Sequence, residues 1–416
     1  MTIAKARARI RHCGVGTFQA TPLMYSLVSE VLDSGRISYG PMSLAFEQRF
    51  AELESARYAI LSNSGTSSLH VALQALKEAH GWGRGDQVIV PASTFVATPN
   101  IVLHNEMRPV FVDVDPRTYN IDVDLIESKI TDQTRAIIPV SLFGQPANLS
   151  AVRALADKHG LKVLHDSCEM MFMAHAGKDA GQWADISAYS YYNAHLITAG
   201  VGGMSLTDNP DYAARMRGLV NHGLELDSLN PGANFSPQPA TGRRFRFDTT
   251  GHSFRITELE AALGLAQLGD DDVRLMLSKR RHNAHLLRHR LEHINADYGD
   301  PFQLPYVDPL NYGPYDADVT GSAWMMFCIT LRRGDKETLM AHLNANGIET
   351  RDAMPLLNQP AFKYLAATDF PVSSNMITNS FYVGVHPGLD DTDIQYMAGC
   401  FGEWLDPMYP NIYRGS

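Results

Sequence analysis

Cysteine is scarce in these 416 residues: there are four, Cys13, Cys168, Cys328 and Cys400, and no two of them form a CxxC pair. A disulfide framework and a paired-cysteine zinc site are therefore not indicated, and the usage fits a reducing compartment. No uncharged apolar run reaches the roughly 18 residues that a membrane-spanning helix needs. The N-terminus, MTIAKARARIRHCGVG, has basic residues but no apolar core of the signal-peptide kind. An excess of positive charge is also lacking: 35 Lys and Arg stand against 45 Asp and Glu, a net charge of −10. That balance argues against nucleic acid or a membrane surface as a partner. Internal repeats and low-complexity blocks are missing, and so is lysine throughout the interval between Lys178 and Lys279. The expectation is a soluble cytoplasmic protein, long enough for one large core and a smaller second one.

The segments that are present alternate. Apolar, β-branched runs at 59–61, 87–91, 109–114, 136–142, 162–164, 186–192 and 203–206 predict seven strands. Helical periodicity at 67–79, 125–130 and 149–159 separates several of them. Near-continuous apolar strands divided by helices predict an α/β fold with a mainly parallel seven-stranded sheet covered on both faces, and ligands at the C-terminal strand ends. Helical patterns also run from 25 to 53, interrupted at Gly35 and at the YGP turn 39–41, and again at 255–268 and 273–294. A strand-like run at 324–331, a helix-like run at 336–345 and a last helix near 391–404 fit a smaller C-terminal α/β domain. The predicted division is an N-terminal arm or disordered tail at 1–25, a large domain at 26–255 carrying a long loop at 224–250, and a small domain at 256–416. A loop of that length, rich in Gly, Pro, Ser and Asn, is usually functional or disordered.

Several short stretches carry chemistry. In SNSGTSSLHVAL, Gly65, Thr66 and Ser67 fall between a strand end and a helix start. Amides and small hydroxyls there make an anion site, although a plain helix cap has the same sequence. Asp166 in HDSCE ends a predicted strand, where a carboxylate is costly unless it is paired. Glu169 follows as a second carboxylate or as a solvated loop acid. His195 lies in AYSYYNAHLITAGVGG, a strand end followed by a glycine-rich turn, and an imidazole of ordinary pKa near 6.5 suits a general base. Arg243, Arg244 and Arg246 in RRFRF read equally as a grip on a diphosphate and as a solvated charged strand.

The turn at 188–203 resembles the cofactor turn of the DegT/DnrJ/EryC1/StrS sugar-aminotransferase family, whose members use pyridoxal 5′-phosphate (PLP) and whose fold is the type I, aspartate-aminotransferase-like fold. Where His195 stands, that family normally has the lysine that holds PLP as a Schiff base. The register agrees, since His195 follows Asp166 by 29 residues and Ser190 by five. The likeness continues in GHSFRITELEAALGLAQL (251–268), GIETRDAMPLLNQPAF (347–362) and SNMITNSFYVGVHPGL (374–389), and so spans about 35 to 389. The resemblance implies that Asp166 pairs with the pyridine nitrogen, Glu169 lies near the phenolic oxygen, and Gly65, Thr66, Ser67 and Ser190 hold the phosphate. It also implies that Phe95 stacks on the ring, against the alternative of core packing, and that Ser253 faces a neighbouring subunit's cofactor in a homodimer. Arg351 is assigned to sugar or cofactor phosphate, beside Arg243 and Arg244 as substrate ligands.

Histidine in the lysine's place resembles the PLP-dependent nucleotide-sugar 3-dehydratases. These hold pyridoxamine phosphate (PMP) without a covalent bond, condense it with a 4-keto-6-deoxy sugar, and expel the C3 hydroxyl after His195 takes a proton. One type carries an iron–sulfur cluster on four cysteines. Cys168 matches the first ligand, but LELDSLNPGANFSPQPATG (224–242) has no cysteine, so the ligand count excludes the cluster. The cluster-free type remains, with PMP regenerated from L-glutamate. Ser253 replaces a usual asparagine, Phe172 a usual glycine and Val201 a usual glutamate. An aminotransferase without its lysine and a silent cofactor- or sugar-binding protein are the alternatives. The run Thr66, Asp166, Glu169 and Ser190 opposes the second of these, since a dead site has no need of an electron sink.

Overall fold

A computed structural model describes residues 11–224, 246–313 and 316–409. Its central sheet consists of β1 (Tyr58–Ser62), β2 (Gln87–Pro91), β3 (Arg108–Val112), β4 (Thr134–Ile137), β5 (Lys162–Asp166), β6 (Ile186–Ser190) and β7 (Gly203–Thr207), in the order β1-β7-β6-β5-β4-β2-β3. Only β7 runs against the others, pairing antiparallel with β1 and β6. Successive side chains along β2 enter opposite cores, Val88 and Val90 on one face and Ile89 on the other with Val112, Ile137 and Val163. Both faces are therefore covered, as the continuous apolar strands require.

Helices start and stop where their caps dictate. Ser64 caps Gly65–His80 by accepting from the Ser67 amide, and Asn148 caps Leu149–His159 by accepting from Ala151, while Gly81 and Gly160 end the two helices in left-handed geometry. The predicted helical span 25–53 is two helices, Pro22–Ser34 and Pro41–Leu53, divided at Gly35. Ala97–His104 is a helix that periodicity does not reveal, because Pro99 falls in its first turn, where proline is tolerated. The strand predicted at 136–142 ends at Ile137 and is followed by a 3-10 turn, Leu142–Gly144. The strand predicted at 324–331 begins only at Phe327, because Trp324 is left-handed (φ 48) where its amide packs against Gly144. The helix expected over 255–268 is confined to Glu258–Leu265.

The C-terminal part builds an antiparallel sheet from β8 (Phe302–Gln303), β9 (Phe327–Leu331), β10 (Thr350–Asp352) and β11 (Ser380–Val383), in the order β8-β9-β11-β10, with its own apolar core. The described part of the N-terminal arm is anchored on this sheet's side of the molecule. Cys13 exchanges backbone hydrogen bonds with Gly347 (2.8 Å) and Glu349 (2.9 Å), and the backbone at Gly16 touches Ala194. The arm thus ties this half to the turn that carries His195. No helix among the described residues is long and apolar enough to cross a membrane.

One polar group beneath the sheet is held at a cost. Glu54 is buried, accepts from the Phe172 amide (2.6 Å) and the Tyr189 hydroxyl (3.0 Å), and has no cationic partner among the described residues. Phe172, in place of the expected glycine, is left-handed (φ 59), and the carboxyl satisfies its amide. Burial lifts Glu54 from 4.5 to about 8, with Asp179 adding to the rise. Below 4.5 the acid is neutral in both states and exerts no penalty. As pH climbs toward 8 the unfolded chain ionises first, and the fold loses about 1.4 kcal/mol of stability for each pH unit crossed. Glu54→Gln is expected to flatten the fall in melting temperature between about pH 5 and pH 9. An unchanged slope in thermal melts of the variant contradicts this assignment.

Candidate functional site

The site lies at the C-terminal ends of β5 and β6, and two glycines make it possible. Gly203 pairs with both Ser62 and Ser190, and a Cβ on it would stand 2.4 Å from the Ser64 carbonyl oxygen. A Cβ on Gly65 would stand 2.6 Å from the Cβ of Ser190 and 2.8 Å from Cys168 Sγ. The N-terminus of the helix Gly65–His80 is thereby pressed against the strand ends. Among the described residues the amides of Gly65 and Thr66 have no acceptor, Thr66 is exposed, and Ser190 lies against Gly65. These groups form a cradle for an anion. Ser67 acts differently from expectation: its amide is capped by Ser64 and its hydroxyl donates to Asn63 Oδ1 (2.7 Å), so it shapes the turn. Ser64 and Ser67 make the helix cap, and the amides of Gly65 and Thr66 are the groups left open to an anion.

Beside the cradle, Asp166 is buried and accepts from Thr98 Oγ1 (2.8 Å) and the Cys168 amide (3.2 Å), with no cation among the described residues. Burial raises its pKa, and the hydrogen bonds from Thr98 and from the side chain and amide of Cys168 oppose the rise. A buried carboxylate with oriented donors and no counter-charge fits a bound cation, such as a protonated ring nitrogen. Thr98 escaped the sequence reading; it lies in the first turn of the helix Ala97–His104, and its hydroxyl also meets that of Thr94 in the preceding loop at 2.9 Å. Cys168 stays a thiol, held well above its usual range by burial and the Asp166 charge. Glu169 is buried, accepts from the Phe143 amide (2.8 Å), and is lifted to about 7 by burial and Asp166. Phe95 is 62% exposed at the end of β2 and so is not part of the core.

His195 is half-buried in the turn between β6 and β7. Its Nδ1 lies 3.1 Å from the Ser190 carbonyl oxygen, an acceptor only, so Nδ1 carries the proton. Nε2 keeps its lone pair and meets no donor among the described residues. Burial lowers the imidazole to about 4, the Ser190 carbonyl opposing and the Arg280 charge reinforcing that shift. The ring of Tyr192 stands edge-on to it at 6.0 Å. A neutral imidazole with one nitrogen committed and the other free is a proton acceptor.

The remaining predicted residues are more peripheral. Arg351 on β10 is exposed, bonds Glu349 Oε1 through Nε (2.9 Å) and Nη2 (2.7 Å), and is paired in register with Tyr382, whose hydroxyl feels the Glu169 charge. Ser253 is exposed, accepts from Arg255 (3.3 Å) and forms a backbone bridge to Asn221. Val201 is half exposed in the turn. Arg246 pairs with Asp248 (3.0 Å), while Arg243, Arg244 and most of the loop lie outside the described residues. A polar cavity of about 460 Å³ lined by His80, Trp82, Arg135 and Lys162 sits at the opposite ends of the strands. Its cations are already paired, Arg135 with Asp86 and Lys162 with Asp185.

Comparison with known proteins identifies the family and the fold. The profile of the DegT/DnrJ/EryC1/StrS aminotransferase family matches residues 22–401. A GDP-perosamine synthase of Caulobacter vibrioides is 32% identical over 384 residues, 91% of this chain and 94% of that protein. An aminotransferase structure from Psychrobacter cryohalolentis superposes with a TM-score of 0.82 at 28% identity, covering 95% of this chain and 98% of the other. The E. coli GDP-4-keto-6-deoxy-D-mannose-3-dehydratase with bound hydrated PLP superposes with a TM-score of 0.81 at 23% identity, covering 94% and 99%. This last likeness carries the fold alone.

In cofactor-free protein the His195 imidazole is expected to remain neutral down to about 4 and to carry its proton on Nδ1. Nitrogen-15 spectra of histidine-labelled protein read both properties; titration near 6.5, or a proton on Nε2, contradicts the geometry.

Proposed function

Because the chain belongs to the DegT/DnrJ/EryC1/StrS aminotransferase family, we propose that it removes the C3 hydroxyl of a nucleotide-linked 4-keto-6-deoxy sugar in the cytosol, with PMP regenerated from L-glutamate. The observation that carries this reading is His195, an imidazole with a free Nε2 in the register of an amine. When bound, the cofactor supplies an amine for the sugar ketone and a ring that accepts electrons. Asp166 is the group for the protonated ring nitrogen, with Thr98 and the Cys168 amide fixing its direction. Gly65, Thr66 and Ser190 receive the phosphate, Phe95 covers the ring, and Glu169 stands near the phenolic oxygen. Arg243, Arg244 and Arg351 are the proposed substrate-side cations.

Imidazole cannot tether the cofactor, so the amine form is bound without a covalent link and no lysine competes for it. Nε2 of His195 accepts the proton from the cofactor's methylene carbon, while Nδ1–H stays bonded to Ser190. Cofactor and sugar phosphates bring negative charge, which raises the proton affinity of His195 above its value in the empty site. The base is thus strengthened by what it acts on. A homodimer completes the proposal. Leu23, Tyr25, Leu32 and Ile37 are each at least half exposed near the start of the chain, and Tyr192 beside His195 is similarly bare, as expected of surfaces that a second copy covers. Ser253 of that copy is proposed to approach the cofactor phosphate.

Aminotransfer is the second reading, favoured by the 32% identity to a GDP-perosamine synthase. Protein given PLP and L-glutamate is expected to convert a PLP absorbance band to a PMP band. Added 4-keto-6-deoxy nucleotide sugar should then lose one oxygen atom with release of ammonia. Return of an aminated sugar favours the second reading, and failure to bind PLP ends both. His195→Asn should lower dehydration by about 100-fold or more, the usual share of a general base; unchanged turnover removes His195 from the mechanism. Phe95→Ala should weaken PLP binding while shifting unfolding by no more than about 0.5 kcal/mol, as for a surface residue. A loss of about 3–5 kcal/mol would instead mark core packing.

A further inference from the structure

Arg280 on the helix Asp270–Tyr298 is 3% exposed, yet no carboxylate among the described residues meets it. Nη1 donates to the carbonyls of Trp324 (3.2 Å) and Met325 (3.1 Å), and the buried Nε has no acceptor there. Other buried cations are treated differently: Arg217 holds Glu47 at 3.0 Å and Lys336 holds Asp352 at 2.6 Å. Burial lowers the guanidinium only to about 10, so it remains a cation at neutral pH. A buried charge without a counter-charge is costly and calls for an anionic partner.

Its position points to the source of that partner. One turn along, Asn283 donates to the carbonyls of His386 (3.0 Å) and Leu389 (3.2 Å), and His386 Nε2 in turn bonds the Gly14 carbonyl (3.1 Å). The strap at Gly14–Gly16 then packs on Asn193 and Ala194, next to His195. Gln267 clasps the other side of the same turn, bonding both the amide (3.2 Å) and the carbonyl (2.8 Å) of Thr198. The Arg280 charge reaches both His195 and His386. Two carboxylates whose charge reaches His386, Glu349 and Asp393, are already held by Arg351 (2.7 Å) and Arg11 (3.4 Å).

We propose that Arg280 anchors an oxyanion entering the site, and that this is a carboxylate of the small dicarboxylate amino donor. With Nη1 engaged by two carbonyls, the edge left to the guanidinium is a planar fork suited to a carboxylate. The diphosphate of the sugar nucleotide is the other possible source of the same chemistry. The inference rests on the proposed use of glutamate, but its test does not require dehydration.

Cofactor-free wild type, Arg280→Met and Arg280→Lys are titrated calorimetrically with 2-oxoglutarate and, separately, with GDP. Arg280→Met is expected to bind 2-oxoglutarate at least about 10-fold more weakly, since charge-assisted forks are the strong class of hydrogen bond, and to bind GDP as wild type does. Arg280→Lys should lose part of the affinity because it keeps the charge without the fork, and it carries the test if the methionine variant melts early. Weakening for GDP alone assigns the anion to the nucleotide and overturns the carboxylate. Equal 2-oxoglutarate binding by all three proteins, or none by wild type, overturns the anion site. A wrong dehydratase reading would leave these affinities intact, whereas a wrong anchor would leave dehydration by protein preloaded with PMP intact.

Discussion

The site depends on how closely a helix can approach the ends of two strands. Gly203 and Gly65 leave no side chain between the N-terminus of Gly65–His80 and the ends of β6 and β7, and any larger residue at either place would overlap Ser64 or Ser190. That approach gathers three kinds of charge preference within one neighbourhood. Open amides favour an anion, buried Asp166 favours a cation, and the lone pair of His195 accepts a proton. A zwitterionic aromatic phosphate has this distribution, and that match is what the proposed function rests on.

Burial sets the chemistry of each group. Asp166 and Glu169 are neighbours in the same desolvated pocket, yet they are not equivalent. Asp166 is fixed by a hydroxyl and an amide, whereas Glu169 has one amide and sits near 7. His195 is neutral for the opposite reason, since burial disfavours its charged form. One environment therefore holds a hydrogen-bonded buried carboxyl, a second carboxyl near 7 and a free base side by side.

The two halves of the molecule meet at the turn rather than merely near it. Gln267 bonds both backbone groups of Thr198, and the strap from Cys13 to Gly16 runs from the β10 side to Ala194. Both contacts hold the segment that orients His195. Phe172 illustrates how local departures are absorbed. Its left-handed backbone is tolerated because Glu54 accepts its amide, and the consequence is a buried acid whose ionisation opposes folding.

The seven strands of the main sheet and the capped helices were legible because each has a local cause: apolar continuity for a strand buried on both faces, and an oxygen-bearing cap with a terminal glycine for a helix. Asp166, Ser190 and His195 were singled out by their register in the family resemblance, and the structure sets Asp166 and Ser190 on neighbouring strands with His195 bonded to the Ser190 carbonyl. The helix Ala97–His104 was not legible, since proline in its first turn masks the pattern, and with it Thr98 was overlooked. Arg280 was invisible for a deeper reason: nothing in SKRRHNAH separates a buried guanidinium without a carboxylate from its exposed neighbours. The sequence determined which elements form and which reactive groups stand at the strand ends, because those follow from short-range periodicity and spacing. Which charges are buried, which nitrogen of His195 carries the proton, and which cation lacks a counter-ion were decided by tertiary structure, because desolvation and hydrogen-bond partners come from residues far apart in the chain.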